Sequence, residues 1–456
     1  MKKHPLHFNP CVTGGALVLA AAAAVFGQDK PAPAAPTVPN APALTATNTP
    51  AEPGALGKFF NGTIPAAFAK GKFNLNVRAR YEFVNQDGYT DDSHAATIRT
   101  RFGFTTAPTY GFQGMIEGEN VAVIGPEGNY NAAGSNGKGY KPPVADPPTT
   151  ELNQAWLSYN YTNLFAIKAG RQQLVLDNAR FVGDVGWRQN MQTFDAVGAT
   201  FKPVKDFSLY YGYLWEVNRV FGDVAGLPAG FTDFSSKSHL INASYTACEY
   251  AKVVGYAYLL DLQNAAGPNN SCATYGGYVT GAAPLNDQVK LNYRGEVAWQ
   301  SDYADSTQNY DALYYDLELG ATVKPFAFGA GYEVLGSDNN VGFKTPLATL
   351  HAFNGWADAF LTTPNAGLRD LYAYGQVTLP AELPLRVVYH KFDADSGSGD
   401  FGQEVDAVIS KKFGKHWNAL LKYAYYMGED AAAGSTIPVA ANVDAQKLWA
   451  QVEFNF

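Results

Sequence analysis

Arg78, Arg80, Arg99 and Arg101 form two pairs, the members of each two residues apart. On an extended backbone that spacing turns both side chains to one face. A guanidinium is permanently charged and presents a planar fork that matches a carboxylate or phosphate. Two such pairs on neighbouring strands would offer an anion a surface in place of its water. Glu117 and Glu119 repeat the spacing one strand later, and Lys290, Arg294, Glu296, Asp316, Glu318, Glu333, Arg386, His390, Glu404 and Asp406 continue it along the chain. For each of these residues two readings stay open. The charges form a track that selects anions, or Arg and Glu rows on adjacent strands neutralise one another. The four arginines are the strongest candidates for a binding role, because they outnumber their nearest carboxylates.

Such faces require strands, and the sequence supplies them. From Phe73 onward the chain alternates with a period of two: Leu75, Val77, Ala79, Tyr81 and Phe83 oppose Asn76, Arg78, Arg80 and Glu82. The periodicity predicts about 18 strands, the weakest near 273–280, whose loss with a neighbour would leave about 16. Long Gly-, Asp- and Asn-rich segments at 124–150, 175–194, 218–237, 335–368 and 428–445 alternate with short turns such as Thr162-Asn163 and Lys324-Pro325. A soluble β-sandwich needs an apolar interior, yet here one face is apolar and the other charged throughout. An antiparallel transmembrane β-barrel fits, with short periplasmic turns, long external loops, apolar residues on lipid and charges in the lumen. Placing one of these arginines on the lipid side would cost roughly 2–4 kcal/mol at mid-membrane.

The ends and the composition agree. The last strand, QKLWAQVEFNF, puts Leu448, Ala450, Val452, Phe454 and Phe456 on one face, and its terminal phenylalanine resembles the C-terminal signature of bacterial outer-membrane barrels. Lys2, Lys3 and the apolar run from Leu17 to Phe26 read as a secretory signal over 1–27, followed by an Ala/Pro-rich periplasmic leader over 28–72 and the barrel over 73–456. Cys11 precedes the apolar run, which argues against lipoprotein processing. No later stretch is long and apolar enough for a helical span. The 28 Tyr and 28 Phe suit two interfacial aromatic girdles. With 33 basic residues against 41 acidic ones, nucleic acid is an unsuitable partner. Cys248 and Cys272 fall at opposite ends of adjacent strands, too far apart for a bridge. The histidines at 94, 239, 351, 390 and 416 lie in no nucleophile or zinc motif, so no enzyme and no cofactor is expected. Asp393, Asp395 and Asp400 read as a solvated acidic turn, because their spacing is not that of an EF-hand.

GRQQLVLDNARFVGDVGWRQNMQTFDA at 170–196 resembles the signature of the alginate-export family of outer-membrane barrels, as do GYEVLGSDNN at 331–340, TPLATLHAFNGWADAFLTTPNAGLRDLY at 345–372 and FDADSGSGDFGQEVDA at 392–407. The resemblance implies an 18-stranded barrel crossed by an anionic polyuronate or related saccharide, with an arginine-rich constriction. Arg78, Arg80, Arg99, Arg101, Arg171, Arg180 and Arg188 match that idea, while the acidic balance and the lumenal carboxylates depart from it. Arg171, Arg180 and Arg188 alternate with Asp177, Asp184 and Asp195. They line a constriction if their loop folds inward, or they pair with those aspartates and brace it. Phe343, His351, Phe353, Trp356 and Asp358 suit either rim packing or the stacking of sugar rings. The expected function is an outer-membrane channel for an anionic saccharide, with possible periplasmic export partners. The alternatives are a general porin for small solutes and a hydrolase built on a barrel scaffold.

Overall fold

The computed structural model describes residue 62 and residues 64–126, 128–224, 227, 230–264, 268–429 and 441–456. The expected signal segment and most of the expected leader lie outside these residues. One short helix, Ile64–Ala69, precedes the sheet. Eighteen long strands then follow in chain order. They are β1 Lys72–Gln86, β2 Ser93–Thr105, β3 Phe112–Val123, β4 Thr149–Tyr161, β5 Phe165–Gln172 and β6 Thr193–Phe201. Next come β7 Phe207–Asn218, β8 Asp233–Cys248, β9 Ala251–Leu260, β10 Cys272–Pro284, β11 Val289–Asp302 and β12 Asp311–Val323. The last six are β13 Phe326–Leu335, β14 Leu368–Leu379, β15 Leu383–Asp393, β16 Asp400–Phe413, β17 Trp417–Gly428 and β18 Ala445–Asn455. Each pairs antiparallel with the next, and β1 pairs with β18 from Asn76↔Asn455 to Gln86↔Ala445, so the sheet closes. The expected count of strands holds, including the weak run near 273–280, which is β10. Closure removes the unpaired edges that a flat sheet would present to lipid.

Alternation decides which side of the wall each residue occupies. Phe102, Ile116, Val297 and Leu371 are each more than half exposed on the outside, at 56%, 58%, 54% and 54%. Arg99, Arg80, Glu119, Glu404 and Asp406 are buried on the inner face of the same sheet. A water-soluble protein buries the first set and exposes the second. The inversion is stable only where hydrocarbon surrounds the barrel. Connections after odd-numbered strands, such as 124–148, 173–192 and 336–367, are longer than turns such as 162–164 and 324–325.

Two of the long connections turn inward. The 173–192 loop and the 336–367 loop fill the barrel with an apolar cluster that includes Phe181, Val182, Trp187, Phe343, Leu347 and Phe360, packed against wall residues Tyr256, Tyr314, Phe392 and Trp449. The 124–148 loop instead packs Tyr130, Ala132 and Val144 on Val84 and Ala95 at the outer ends of β1 and β2. Cys272, at the start of β10, is a buried free thiol, so no bridge joins it to Cys248.

The connection pattern gives a topological prediction. A Cβ at Gly134 or Gly397 would meet nothing within 4 Å, so protease sites inserted there should be accommodated and cut on intact cells. A tag in the 202–206 turn should stay protected until the envelope is opened. The reverse pattern of cleavage would invert the barrel.

Candidate functional site

The basic wall is set by register. Arg78 sits opposite Arg99, Asn76 opposite Arg101 and Arg80 opposite Thr97, so all four guanidinia share one interior patch. Like charges this close need compensation, and part of it comes from the backbone of the 173–192 loop. Arg78 Nη1 donates to the carbonyls of Gly186, Trp187 and Arg188 at 3.0, 3.2 and 3.2 Å. Arg80 Nη2 donates to Trp187 O at 2.6 Å while its guanidinium lies 4.3 Å from the Trp187 ring centre. Arg99 and Arg101 each reach Gln189 O at the looser distance of 3.5 Å. Carboxylates supply the rest: Glu453 pairs with Arg78 at 3.4 Å and Arg99 at 3.3 Å, Asp146 lies 3.6 Å from Arg80, and Glu119 pairs with Arg101.

The opposite arc of the wall is acidic and holds the other loop by its donors. Glu296 faces Asp316, Asp316 faces Glu333, and Glu333 faces Asp370 across successive strands. Further round, Glu404 accepts the Ala357 N–H at 2.7 Å and Asp406 accepts that of Trp356 at 3.2 Å. Gly355 makes this approach possible: its φ is +84°, and a Cβ there would collide with the Glu404 carboxylate. Asn354 donates to Glu333 at 2.6 Å and Asp370 at 3.2 Å.

The two loops are also joined to each other. Val182 and Leu347 form a parallel bridge, Gly183 N donates to Leu347 O at 2.8 Å, and Thr349 N donates to Ala179 O at 3.0 Å. Arg180 crosses to β13 and pairs with Glu333 at 2.7 Å, its guanidinium over the Phe353 ring. Arg188 pairs with Glu82 at 3.1 Å and Asp358 at 3.1 Å. Asp358 also meets His351 at 2.6 Å and Lys447 at 2.8 Å. Burial alone would raise the Asp358 pKa, but His351, Lys447 and Arg188 hold it well below the usual carboxylate range. Across the lumen, Asp177 accepts from Asn242 at 2.6 Å and from the Tyr278 hydroxyl at 2.7 Å, so the 173–192 loop spans from one wall to the other.

The remaining expected residues have varied settings. Glu117 is buried and accepts amide donors from Asn74, Asn153 and Gln154. Arg171 makes a two-pronged pair with Asp195, at 2.7 and 3.0 Å, and stays partly exposed. Arg294 pairs with Glu296 and lies 3.9 Å over the Tyr278 ring, and Arg386 lies 4.1 Å over Tyr374. Lys290 stands apart, exposed near the short-turn end beside a cavity of about 340 Å³ that Lys252, Thr246 and Thr280 also line. Phe343 packs on Phe181 and Tyr314 inside the barrel, not at its rim. Asp400 pairs with Lys391, and among the described residues no three His, Cys, Asp or Glu side chains are grouped to hold a metal. The reading of the sequence overlooked Asp146, Trp187, Lys422 and Lys447, and placed Glu82 on the inner face without a role. Lys422 and Lys447 follow the same alternation as the arginines and were within its reach, whereas Trp187 lies in a loop without periodicity.

Comparison with known proteins follows this geometry. The sequence model of the alginate export family matches residues 70–396. No curated protein matches in sequence. Among solved structures, the outer membrane protein OpdK of Pseudomonas aeruginosa is similar at a TM-score of 0.64 and 14% identity, covering 85% of this chain and 99% of that one. OccAB4 of Acinetobacter baumannii aligns at a TM-score of 0.64 and 12% identity over 86% and 99% of the two chains. OccK9 of Pseudomonas aeruginosa gives 0.64, 14%, 86% and 100% in the same terms. OpdK has also been solved with vanillate.

The ion pairs differ in burial, and their loss should differ accordingly. Arg180→Met removes a buried ion-pair partner of Glu333, which keeps Tyr314 and Asn354 as donors. Urea unfolding of the refolded barrel should register a loss of about 3–5 kcal/mol. Arg171→Met, at a partly exposed pair, should cost about 1 kcal/mol or less. Equal costs would mean that the interior around Arg180 is as well hydrated as the surroundings of Arg171.

Proposed function

We propose, from the premise that this chain belongs to the alginate export family, that it passes an anionic saccharide of the alginate type through an arginine-lined lumen. Family and fold together make it an outer-membrane channel. The finer reading is supported chiefly by the clustering of Arg78, Arg80, Arg99 and Arg101 on one interior patch. A carboxylate that displaces the 173–192 loop from that patch would meet forked donors held by the wall, able to replace its hydration. Arg99 and Arg101 are the members with most to offer a solute, because they hold the loop at 3.5 Å whereas Arg80 holds it at 2.6 Å. Arg171, Arg180, Arg188, Arg294, Arg386, Lys290 and Glu117 complete the proposed lining, with Arg180 and Arg188 acting through the inward loop. Transport, not catalysis, is the activity we assign.

One observation favours a second reading, a porin for small solutes. The two inward loops meet in the lumen, and the 173–192 loop touches opposite walls. A path beside such a plug suits a single sugar acid better than a stiff polymer. The vanillate seen with the similar barrel OpdK is a small carboxylate of comparable reach. Direction of transport and periplasmic partners belong to neither reading.

Planar-bilayer recording tests the proposal. Arg99→Gln with Arg101→Gln should shift the reversal potential toward cations and weaken block by oligouronates. The shift should shrink at high salt, where the screening length falls to about 3 Å near 1 M. Assembly should survive, since the lipid-facing side chains are untouched. Unchanged selectivity in a normally assembled double mutant would assign the patch to wall structure. Block by monouronate but not by longer oligomers would favour the small-solute porin.

A further inference from the structure

Lys422, on β17, points its ammonium into the barrel and away from any carboxylate at pairing distance among the described residues. The ammonium lies 3.8 Å from the ring centre of Trp356, 4.2 Å from that of Trp187 and 5.5 Å from that of Trp449. Its close polar partner is His351 Nε2, at 2.7 Å. Because His351 Nδ1 faces Asp358 Oδ1 at 2.6 Å, the imidazole accepts from Lys422 at one nitrogen and donates to Asp358 from the other. The imidazole stacks on Trp187 with centroids 4.5 Å apart, and Trp449 meets both rings edge-on at 5.6 and 5.4 Å.

The origin of each wall of this cage matters more than its geometry. Trp187 comes from the 173–192 loop, Trp356 and His351 from the 336–367 loop, and Trp449 and Lys422 from the barrel itself. The cage is therefore complete only when both loops are seated. The two loops are pinned to each other by the Val182–Leu347 bridge and the bonds around Thr349, so they share one seating. Two of the other loop-to-wall ties are ion pairs that must separate when the loops lift: Arg180 with Glu333, and Arg188 with Glu82. Lys422 differs. Ring faces and a neutral imidazole are replaceable by water, and an ammonium is strongly hydrated when the lumen opens. A contact of moderate strength with a well-solvated alternative is the kind that cycles.

We infer that Lys422 is a latch whose ammonium, clasped by Trp187, Trp356 and Trp449, holds the two inward loops as a single plug and sets how often the lumen opens. The inference rests on the channel reading and adds its regulation. Nothing in it depends on which anion passes.

Two substitutions separate the latch from a simple pore charge. Lys422→Met keeps length and packing but removes the cation. Trp356→Leu keeps every charge and removes one ring from the cage. In planar bilayers both should raise the ratio of open to closed dwell times roughly tenfold or more, the size expected for one desolvated cation–π contact. Heat-modifiable migration in gels checks assembly, and either variant alone carries the test if the other fails to assemble. Wild-type dwell times in Trp356→Leu, with Lys422→Met altering only the reversal potential, would overturn the latch and leave Lys422 as a lining charge. Absence of conductance in wild type and both variants would overturn the channel reading itself.

Discussion

Charge inside a lipid-embedded wall must be matched, and that requirement organises this molecule. The barrel turns its apolar side chains outward, so its charged ones face inward at a density that neighbouring strands cannot neutralise alone. Two loops complete the account with backbone dipoles. The 173–192 loop offers the carbonyls of Gly186, Trp187, Arg188 and Gln189 to the basic patch. The 336–367 loop offers the amides of Trp356 and Ala357 to the acidic arc. The polarity of each loop is thus chosen by the wall it meets. Because a backbone dipole carries only partial charge, Arg78 recruits three carbonyls beside its carboxylate, while Arg80, Arg99 and Arg101 each add one carbonyl to theirs.

This arrangement reconciles the arginine patch with an acidic chain. Cations and anions are sorted to different arcs, so the net charge of −8 says little about the local field at either one. Glu453 and Glu119 sit beside the basic patch, yet they leave it with more donors than acceptors until the loop arrives. The same sorting explains why Asp358 stays ionised deep inside the barrel: Arg188 of the other loop and Lys447 of β18 converge on it, and His351 of its own loop bonds it.

The strands and their faces were legible in the sequence because a period of two is a local property. Leu75 to Phe83 and their opposing arginines declare the wall without reference to anything distant. Even β10, the faintest run, formed where alternation placed it. The interior of the plug was not legible, for a physical reason. Arg78 bonds carbonyls more than a hundred residues away, and a carbonyl has no residue type to betray it. Arg180 and Arg188 were legible as charges on a loop; their partners Glu333 and Glu82 were legible as wall residues; the pairing between them depended on a fold-back that no spacing encodes. Lys290 shows the converse: its alternation placed it on the inner face, but near the short-turn end of β11 it stays exposed.

The seam between β1 and β18 brings the first and last strands of the wall together, and it is lined from within by the plug. Arg80 grips Gln451 across the seam while holding Trp187 of the loop, and Arg78 does the same with Glu453 and the carbonyls beside it. Trp449 of the final strand stacks edge-on against Trp187. Joining the two ends of the sheet and seating the loop are therefore one cooperative event, since neither set of contacts is complete without the other. A chain shortened by its terminal strand would forfeit its ladder and its central stopper together, leaving a cylinder that is both open along its side and hollow along its axis.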